Sequence, residues 1–374
     1  MSGVAAVLCV PAFAPARDFG GPVDVVSLLA AGHEVWSADF GPGRTRIPAG
    51  TRTVDGVSVR YFRRLGAYRW SPIVPQVYFE ARRATVDLAH IFGLRDGLTV
   101  PASAGFKAAG IPYVVEPMGM LVPRVRSLGL KRAFDSAIGE RLLRGAAGLI
   151  ATSEQERGEI GQAVPGSRVW LRRNPIATPA STDPDDTLRD RLGIAAGAFL
   201  VAYVGRVSTK KGLDLLAHAT AITRDVHALI VGPDSGDGGE AQLTQAVAKH
   251  GVSDRIHRLA PVWGHQRDRL VAACDAFVLP SRTENFGNAA AEASAVGIPV
   301  IVTAECGVAE LVAEFDAGIV TGVDVEDLAA ALRHLRDDPP LRARMGANGR
   351  RLAAELAPDK IGAQQEAIYR EILG

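Results

Sequence analysis

Two glutamates in SRTENFGNAAAEASAVGIPVI, residues 281–301, raise the first chemical question: Glu284 and Glu292 stand eight positions apart around an Asn-Phe-Gly-Asn break. The Gly287-Asn288 step reads as a helix start, and NAAAEASAV is a strong helix former. Glu292 is then helical, with Glu284 on the loop before it. Eight residues of helix rise about 12 Å, so even with the loop bending back the carboxylates are on the order of 10 Å apart. Pairs that hydrolyse glycosides stand about 5 to 9.5 Å apart across one bond, which disfavours that chemistry here. Such a span suits two groups gripping separate parts of one elongated ligand, since a carboxylate readily accepts hydroxyl hydrogen bonds. Two solvated acids at a helix start, favoured by the macrodipole, are the plain alternative.

A second constellation lies in YVGRVSTKKGLDLLAHA, residues 203–219, where an apolar run ends in glycine and is followed by Arg206, Lys210 and Lys211. Cations directly after a parallel strand lie at the carboxyl edge of the sheet, where open α/β folds bind ligands. An Arg fork and a Lys point charge there suit a diphosphate, and the backbone of residues 285–288 adds N–H donors at its helix start. Taken alone, these cations are equally an ordinary charged surface.

The elements that must position these groups follow from alternation along the chain. Apolar runs at 5–10, 33–38, 88–92, 113–116 and 148–152 alternate with helical stretches, and the pattern restarts at 198–205, 227–232, 255–259, 276–280 and 298–303. This predicts two α/β halves, each a parallel sheet of Rossmann-like βα units. RRNPIATPASTDPDDTLRDRLGI, 172–194, reads as a linker leading into a helix, which places the boundary near 175–187. The expected domains are 1–175 and 188–358, followed by an amphipathic helix over 359–374 with Ile361, Ala367, Ile368 and Ile372 near one face.

At 374 residues the chain exceeds what one core usually organises. Apolar residues make up 47% and charged residues 22%, which is ordinary globular usage. With 42 basic and 41 acidic residues the net charge is +1, so no global field recommends nucleic acid as a partner. The three cysteines, Cys9, Cys274 and Cys306, show no disulfide or zinc spacing. The N-terminal stretch reads as a first strand rather than a signal peptide, and no window is long and apolar enough to span a membrane, so a cytoplasmic protein is expected. His33, His218, His227, His250, His257, His265 and His334 show no metal-ligand spacing.

Together GRVSTKKG, LPSRTENFGNAAAEASAVGIPVI and AECGVAELV closely resemble the retaining GT-B glycosyltransferases of the family 4 type, the glycosyl transferases of group 1. Further similarity runs through FGGPVDVVSLLAAGHEV at 19–35, DLAHIFGL at 87–94 and GLIATSEQERGEI at 148–160. The resemblance implies two facing Rossmann-like domains and a last helix that crosses back to the N-terminal one. It also implies a nucleotide-sugar donor, UDP or GDP foremost, held by the C-terminal domain, and a glycan or small-molecule acceptor held by the N-terminal domain.

Carried onto this chain, the resemblance gives Glu292 to the donor ribose and Glu284 to the donor sugar near the reacting carbon. Arg206 and Lys211 neutralise the departing diphosphate, and the backbones of Phe286, Gly287 and Asn288 contact sugar and phosphate. Gly20 and Gly21 allow close approach to the phosphates, and nucleotide choice falls to the backbone around Val262 and Trp263. No metal or other cofactor is then required, and the DxD-like triplet Asp183-Pro184-Asp185 reads as a solvated turn in the linker.

On the acceptor side, EPMGML places Met118 where many relatives have a histidine, with Glu116 two residues earlier. His90 is either an acceptor-side group or a satisfied histidine at a strand end. RVRSLGLKR, 124–132, offers four cations that face an anionic acceptor or a peripheral membrane surface, or simply solvent. RWSPIVPQVYF, 69–79, reads as an acceptor-side loop or as a loop packed over the sheet. A nucleotide-sugar 2-epimerase and a silent nucleotide-binding subunit are the competing functions. The sequence leaves the oligomeric state open.

Overall fold

The computed structural model describes residues 3–68, 71–122, 129 and 134–374. The stretch 124–132 therefore falls outside the described residues but for Gly129, as do Arg69 and Trp70 of the aromatic loop. The chain divides into two compact units, Met1–Pro175 with Pro358–Gly374, and Ile176–Ala357.

In the first unit, the apolar run AVLC forms β1 (Ala6–Cys9) with every residue buried, as a strand covered on both faces requires. It is followed by β2 (Glu34–Ala38), β3 (Gly50–Val54), β4 (Val57–Phe62), the hairpin pair β5 (Gly66–Tyr68) and β6 (Ser71–Ile73), and then β7 (Leu88–Phe92), β8 (Tyr113–Glu116), β9 (Gly148–Ala151) and β10 (Val169–Leu171). Their order in the main sheet is β10-β9-β8-β7-β1-β2-β4-β3, parallel except for the antiparallel β3–β4 pair. The chain builds outward from β1 in one direction, then returns to build from β7 in the other. The sheet therefore has its topological switch point between β1 and β7.

The second unit contains β11 (Phe199–Val204), β12 (Val226–Val231), β13 (Ile256–Leu259), β14 (Ala276–Leu279), β15 (Val300–Thr303) and β16 (Gly318–Thr321). Their order, β13-β12-β11-β14-β15-β16, is fully parallel and reverses between β11 and β14.

Every run expected as a strand is one. The strands absent from that reading, β3 to β6, β10 and β16, lack a continuous buried run; β3 alternates between exposed and half-buried residues at a sheet edge. The final helix spans Pro358–Leu373 and belongs to the first unit. Its buried face is Ile361, Gln365, Ile368 and Tyr369. Ala367, expected on the apolar face, is exposed. Polar side chains are buried instead because they find partners there: Tyr369 Oη lies 2.7 Å from His90 Nδ1, and Gln365 Nε2 donates to Leu29 O at 3.4 Å. Among the described residues, no helix is long and apolar enough to cross a membrane.

Candidate active site

At the β11/β14 switch point two loops leave adjacent strand ends. The first begins at Gly205 and Arg206, tightens into a turn over Thr209–Lys211 and enters the helix Leu213–Ile222 through Gly212. Gly212 has φ 65°, and a Cβ there would stand 2.0 Å from Pro280 O, the start of the second loop. Only glycine lets the two loops meet this closely. Arg282 fastens them further: its backbone N–H donates to Lys210 O at 2.8 Å, and its guanidinium forks onto both oxygens of Asp214 at 2.8 and 2.7 Å.

This clamp brings Glu284 to Lys211, where the carboxylate Oε2 and the ammonium Nζ form an ion pair with about 15% of each side chain exposed. Burial on its own would raise the Glu284 pKa, but Lys211, Lys210 and Arg206 together hold its carboxyl below the usual range. Burial would lower the Lys211 pKa, and Glu284 more than reverses that. Lys210 is different: burial pushes it below an ordinary lysine, and neighbouring Lys211 and Arg206 add to that while Glu284 opposes it. Among the described residues no carboxylate forms an ion pair with Lys210 or with the exposed Arg206. The switch point therefore carries a surplus of positive charge, as an anion-binding crevice requires.

The second loop is held by backbone bonds, Glu284 N to Glu305 O at 3.0 Å and Val308 N to Phe286 O at 2.7 Å. Phe286 is 2% exposed, so its side chain anchors the loop and only its backbone is left for a ligand. Gly287 has φ 101° and precedes the helix Asn288–Val296. A Cβ at Gly287 would stand 3.1 Å from Val308 Cγ1 and 3.2 Å from Leu279 Cδ2.

Glu292, one turn into that helix, accepts from Arg267 Nη1 at 2.7 Å. Arg267 also donates to its neighbour Asp268 at 2.9 Å, and Asp268 Oδ2 in turn accepts from Ala180 N at 2.9 Å. Glu284 and Glu292 thus have separate cationic partners on separate elements. Val262 lies half-buried in the loop after β13, and Asp185 is bonded to Thr187 and Arg191 in a linker turn.

The sequence reading did not find two of these residues. Arg267 stands in an unremarkable helix. Asp237, on the loop after β12, accepts from Ser208 Oγ at 2.6 Å, Ser235 Oγ at 2.7 Å, Gly239 N at 3.2 Å and Thr209 N at 3.3 Å. Burial opposes its ionisation, yet these bonds bring its pKa down to about 2. The result is a permanent anion that shapes the turn carrying Lys210 and Lys211. The dense Ser, Asp and Gly content of GPDSGDGGE was the available signal.

In the first unit, Gly20 has φ 85° and ψ −155°, a conformation open to glycine, and Gly21 starts the helix Gly21–Leu29 beside the β1/β7 switch point. His90 and Glu116 require a correction. Both are 0% exposed, as is Arg172, so as placed neither presents an atom to an acceptor. His90 is the buried strand-end histidine, its Nδ1 2.7 Å from Tyr369 Oη and its Nε2 3.3 Å from Glu116 Oε2, which also pairs with Arg172. Burial drives the His90 pKa down to about 4 despite Glu116. Met118 is half-buried at the carboxyl end of β8 with φ 53°, a conformation costing about 1 kcal/mol or more that clusters at functional sites. It is held by the next residue, since Gly119 N donates to buried Glu156 at 2.6 Å.

Residues 16–175 match the glycosyl transferase 4-like domain family and residues 184–352 match the glycosyl transferases group 1 family. A D-inositol 3-phosphate glycosyltransferase of Stackebrandtia nassauensis is 34% identical over 216 residues, 52% of this chain and 49% of that protein. The chain thus spans about half the length of the curated relatives it matches. Among solved structures, a sucrose-phosphate synthase from Thermosynechococcus elongatus superposes with TM-score 0.77 at 20% identity, covering 98% of this chain and 99% of the other. Anabaena HepE in complex with UDP-glucose gives 0.74 at 22% identity, with 98% and 99% covered.

Proposed function

Since this chain belongs to the GT-B glycosyltransferases of group 1 and the family 4 type, we propose that it transfers a sugar from a nucleoside diphosphate sugar to an acceptor hydroxyl, with retention of anomeric configuration. The observation that carries this reading is the cation surplus of Arg206, Lys210 and Lys211 around Glu284 at the β11/β14 switch point. Departure of a nucleoside diphosphate creates negative charge at the phosphate, and preorganised cations and amides stabilise it without reorganising.

In this scheme Arg206 and Lys211 receive the diphosphate, with the amides of Gly287 and Asn288 at the helix start beside them. Glu284, kept ionised by Lys211, stands by the sugar. Glu292 binds the ribose hydroxyls. The acceptor attacks from the face the diphosphate leaves, and the leaving phosphate oxygen takes its proton. The cations do the work a divalent metal would do elsewhere, so EDTA is expected to leave activity intact.

UDP- and GDP-sugars head the donor list, as UDP-glucose is the ligand of one structural neighbour. Because relatives are named for D-inositol 3-phosphate, phosphorylated polyols belong in the acceptor panel beside saccharides and natural-product cores. The test is calorimetry with UDP-, GDP-, ADP- and dTDP-sugars, followed by NMR of the product's anomeric centre. Donor binding that Arg206→Ala and Glu292→Ala abolish is expected. A wild type that binds no donor, or variants that bind as wild type does, would overturn the assignment.

A further inference from the structure

We propose that the first unit carries an interfacial patch, formed by the β5–β6 hairpin and the helix Val77–Ala81, that docks the protein on a lipid bilayer rich in anionic headgroups. Leu65, Tyr68, Ile73 and Phe79 are 69%, 64%, 49% and 57% exposed, the four most exposed large apolar side chains among the described residues of this unit. A soluble monomer seldom gathers such side chains in one place without a surface to receive them. On the hairpin the register explains the gathering. Gly66 pairs with Ile73 and Tyr68 with Ser71, so Tyr68 and Ile73 share one face, while Pro72 on the other is buried. On the helix, Val77 and Ala81 are buried and Phe79, two residues from each, points away from them.

A lone two-stranded hairpin is marginal in water, so its base is fastened to the unit. Val74 N donates to Gly97 O at 3.0 Å and Gly97 N to Ser71 Oγ at 3.2 Å, and a Cβ on Gly97 would stand 2.2 Å from Pro72 O. Gln76 Nε2, at the helix start, donates to Arg63 O just before the hairpin, which ties the two elements together. Charge selects the occupant. Arg63, Arg82 and Arg83 are exposed, and no carboxylate among the described residues forms an ion pair with them. Glu80, the one acid in residues 63–83, is taken by Arg60 at 2.7 Å. Cations around an apolar patch repel a second copy of the same patch. They suit an anionic interface, where apolar side chains and a tyrosine ring sink into the headgroup boundary and arginines meet phosphates. The hairpin follows the carboxyl end of β4, so docking sets the edge at which such sheets bind ligands against the bilayer.

The test sediments the full chain with vesicles of mixed phosphatidylglycerol and phosphatidylcholine, and with vesicles of phosphatidylcholine alone. Wild type is expected to bind the mixed vesicles at low salt, to leave them as salt is raised, and to bind the neutral ones far less. Ile73→Ser combined with Phe79→Ser should weaken binding by more than about tenfold, with the urea-unfolding midpoint close to wild type. Arg63→Gln, Arg82→Gln and Arg83→Gln together should weaken it about 100-fold, at about fivefold per cation, and they keep the test decisive where the apolar pair disturbs folding. Wild type that ignores both kinds of vesicle overturns the patch as a lipid surface, as does binding that neither set of substitutions weakens. Equal binding to neutral and mixed vesicles overturns the anionic preference and with it the proposal. A dimer in sedimentation velocity that Phe79→Ser dissociates, without vesicle binding, assigns the patch to a second copy instead. None of these outcomes bears on donor binding, so the transferase reading stands or falls separately.

Discussion

Glu116 and Glu284 are both glutamates paired with a cation at the carboxyl end of a central parallel sheet or just beyond it, yet they stand in opposite settings. Glu116 is sealed in the first unit with Arg172, His90 and Tyr369 around it, and none of the four side chains reaches solvent. Glu284 is partly open, and its cations outnumber it. A sealed, balanced cluster consumes its charges in holding β7, β8 and the final helix together. An open cluster with cations to spare keeps charge available for a ligand. Burial and charge balance, more than residue type, separate the two roles.

The largest expected effect breaks the sealed side. Arg172→Ala strands Glu116 without its main counter-charge and should destabilise the first unit by about 3–5 kcal/mol. Urea unfolding checks this; a shift within about 1 kcal/mol would mean the cluster is not sealed. Next, Lys211→Ala should lower kcat about 10²- to 10³-fold, the cost of removing one stabiliser of developing charge. Its unfolding midpoint should move less than that of Arg172→Ala, and the reverse ranking would erase the contrast.

A third test uses pH. His90 titrates at about 4 in the fold, against about 6.5 unfolded. Between these values the unfolded chain binds a proton that the folded chain does not, so stability is lost as pH falls through the window, by about 3 kcal/mol at most. Wild type should therefore lose more stability between pH 7 and pH 4 than His90→Gln does; equal losses in the two proteins would remove His90 from the account. The smallest effect is on the open side. Asp237→Asn gives up charge-assisted bonds to the turn carrying the lysines and should raise the donor KM several-fold, with the unfolding midpoint little changed.

Much of the site was legible before the fold. Gly287 as a helix start and the cations after β11 follow from local pattern, and the switch point gives both loops one edge. The buried fate of His90 and Glu116 was not legible, because LAHIF and YVVE look the same whether their polar residue faces a ligand or the final helix. Nor was Arg267: an arginine inside a polar helix carries no local mark of its partner.

The sequence by itself determined ten of the strands, their grouping into two α/β halves and the presence of carboxylates and cations near strand ends, because apolar runs and turn residues report burial and backbone shape locally. Only the tertiary structure decided the partners. Lys211 and Glu284 are 73 positions apart, and Arg172 and Glu116 are 56. The order of parallel strands sets which loops meet, and packing sets which of the resulting ion pairs is shut away from solvent and which stays open to bind.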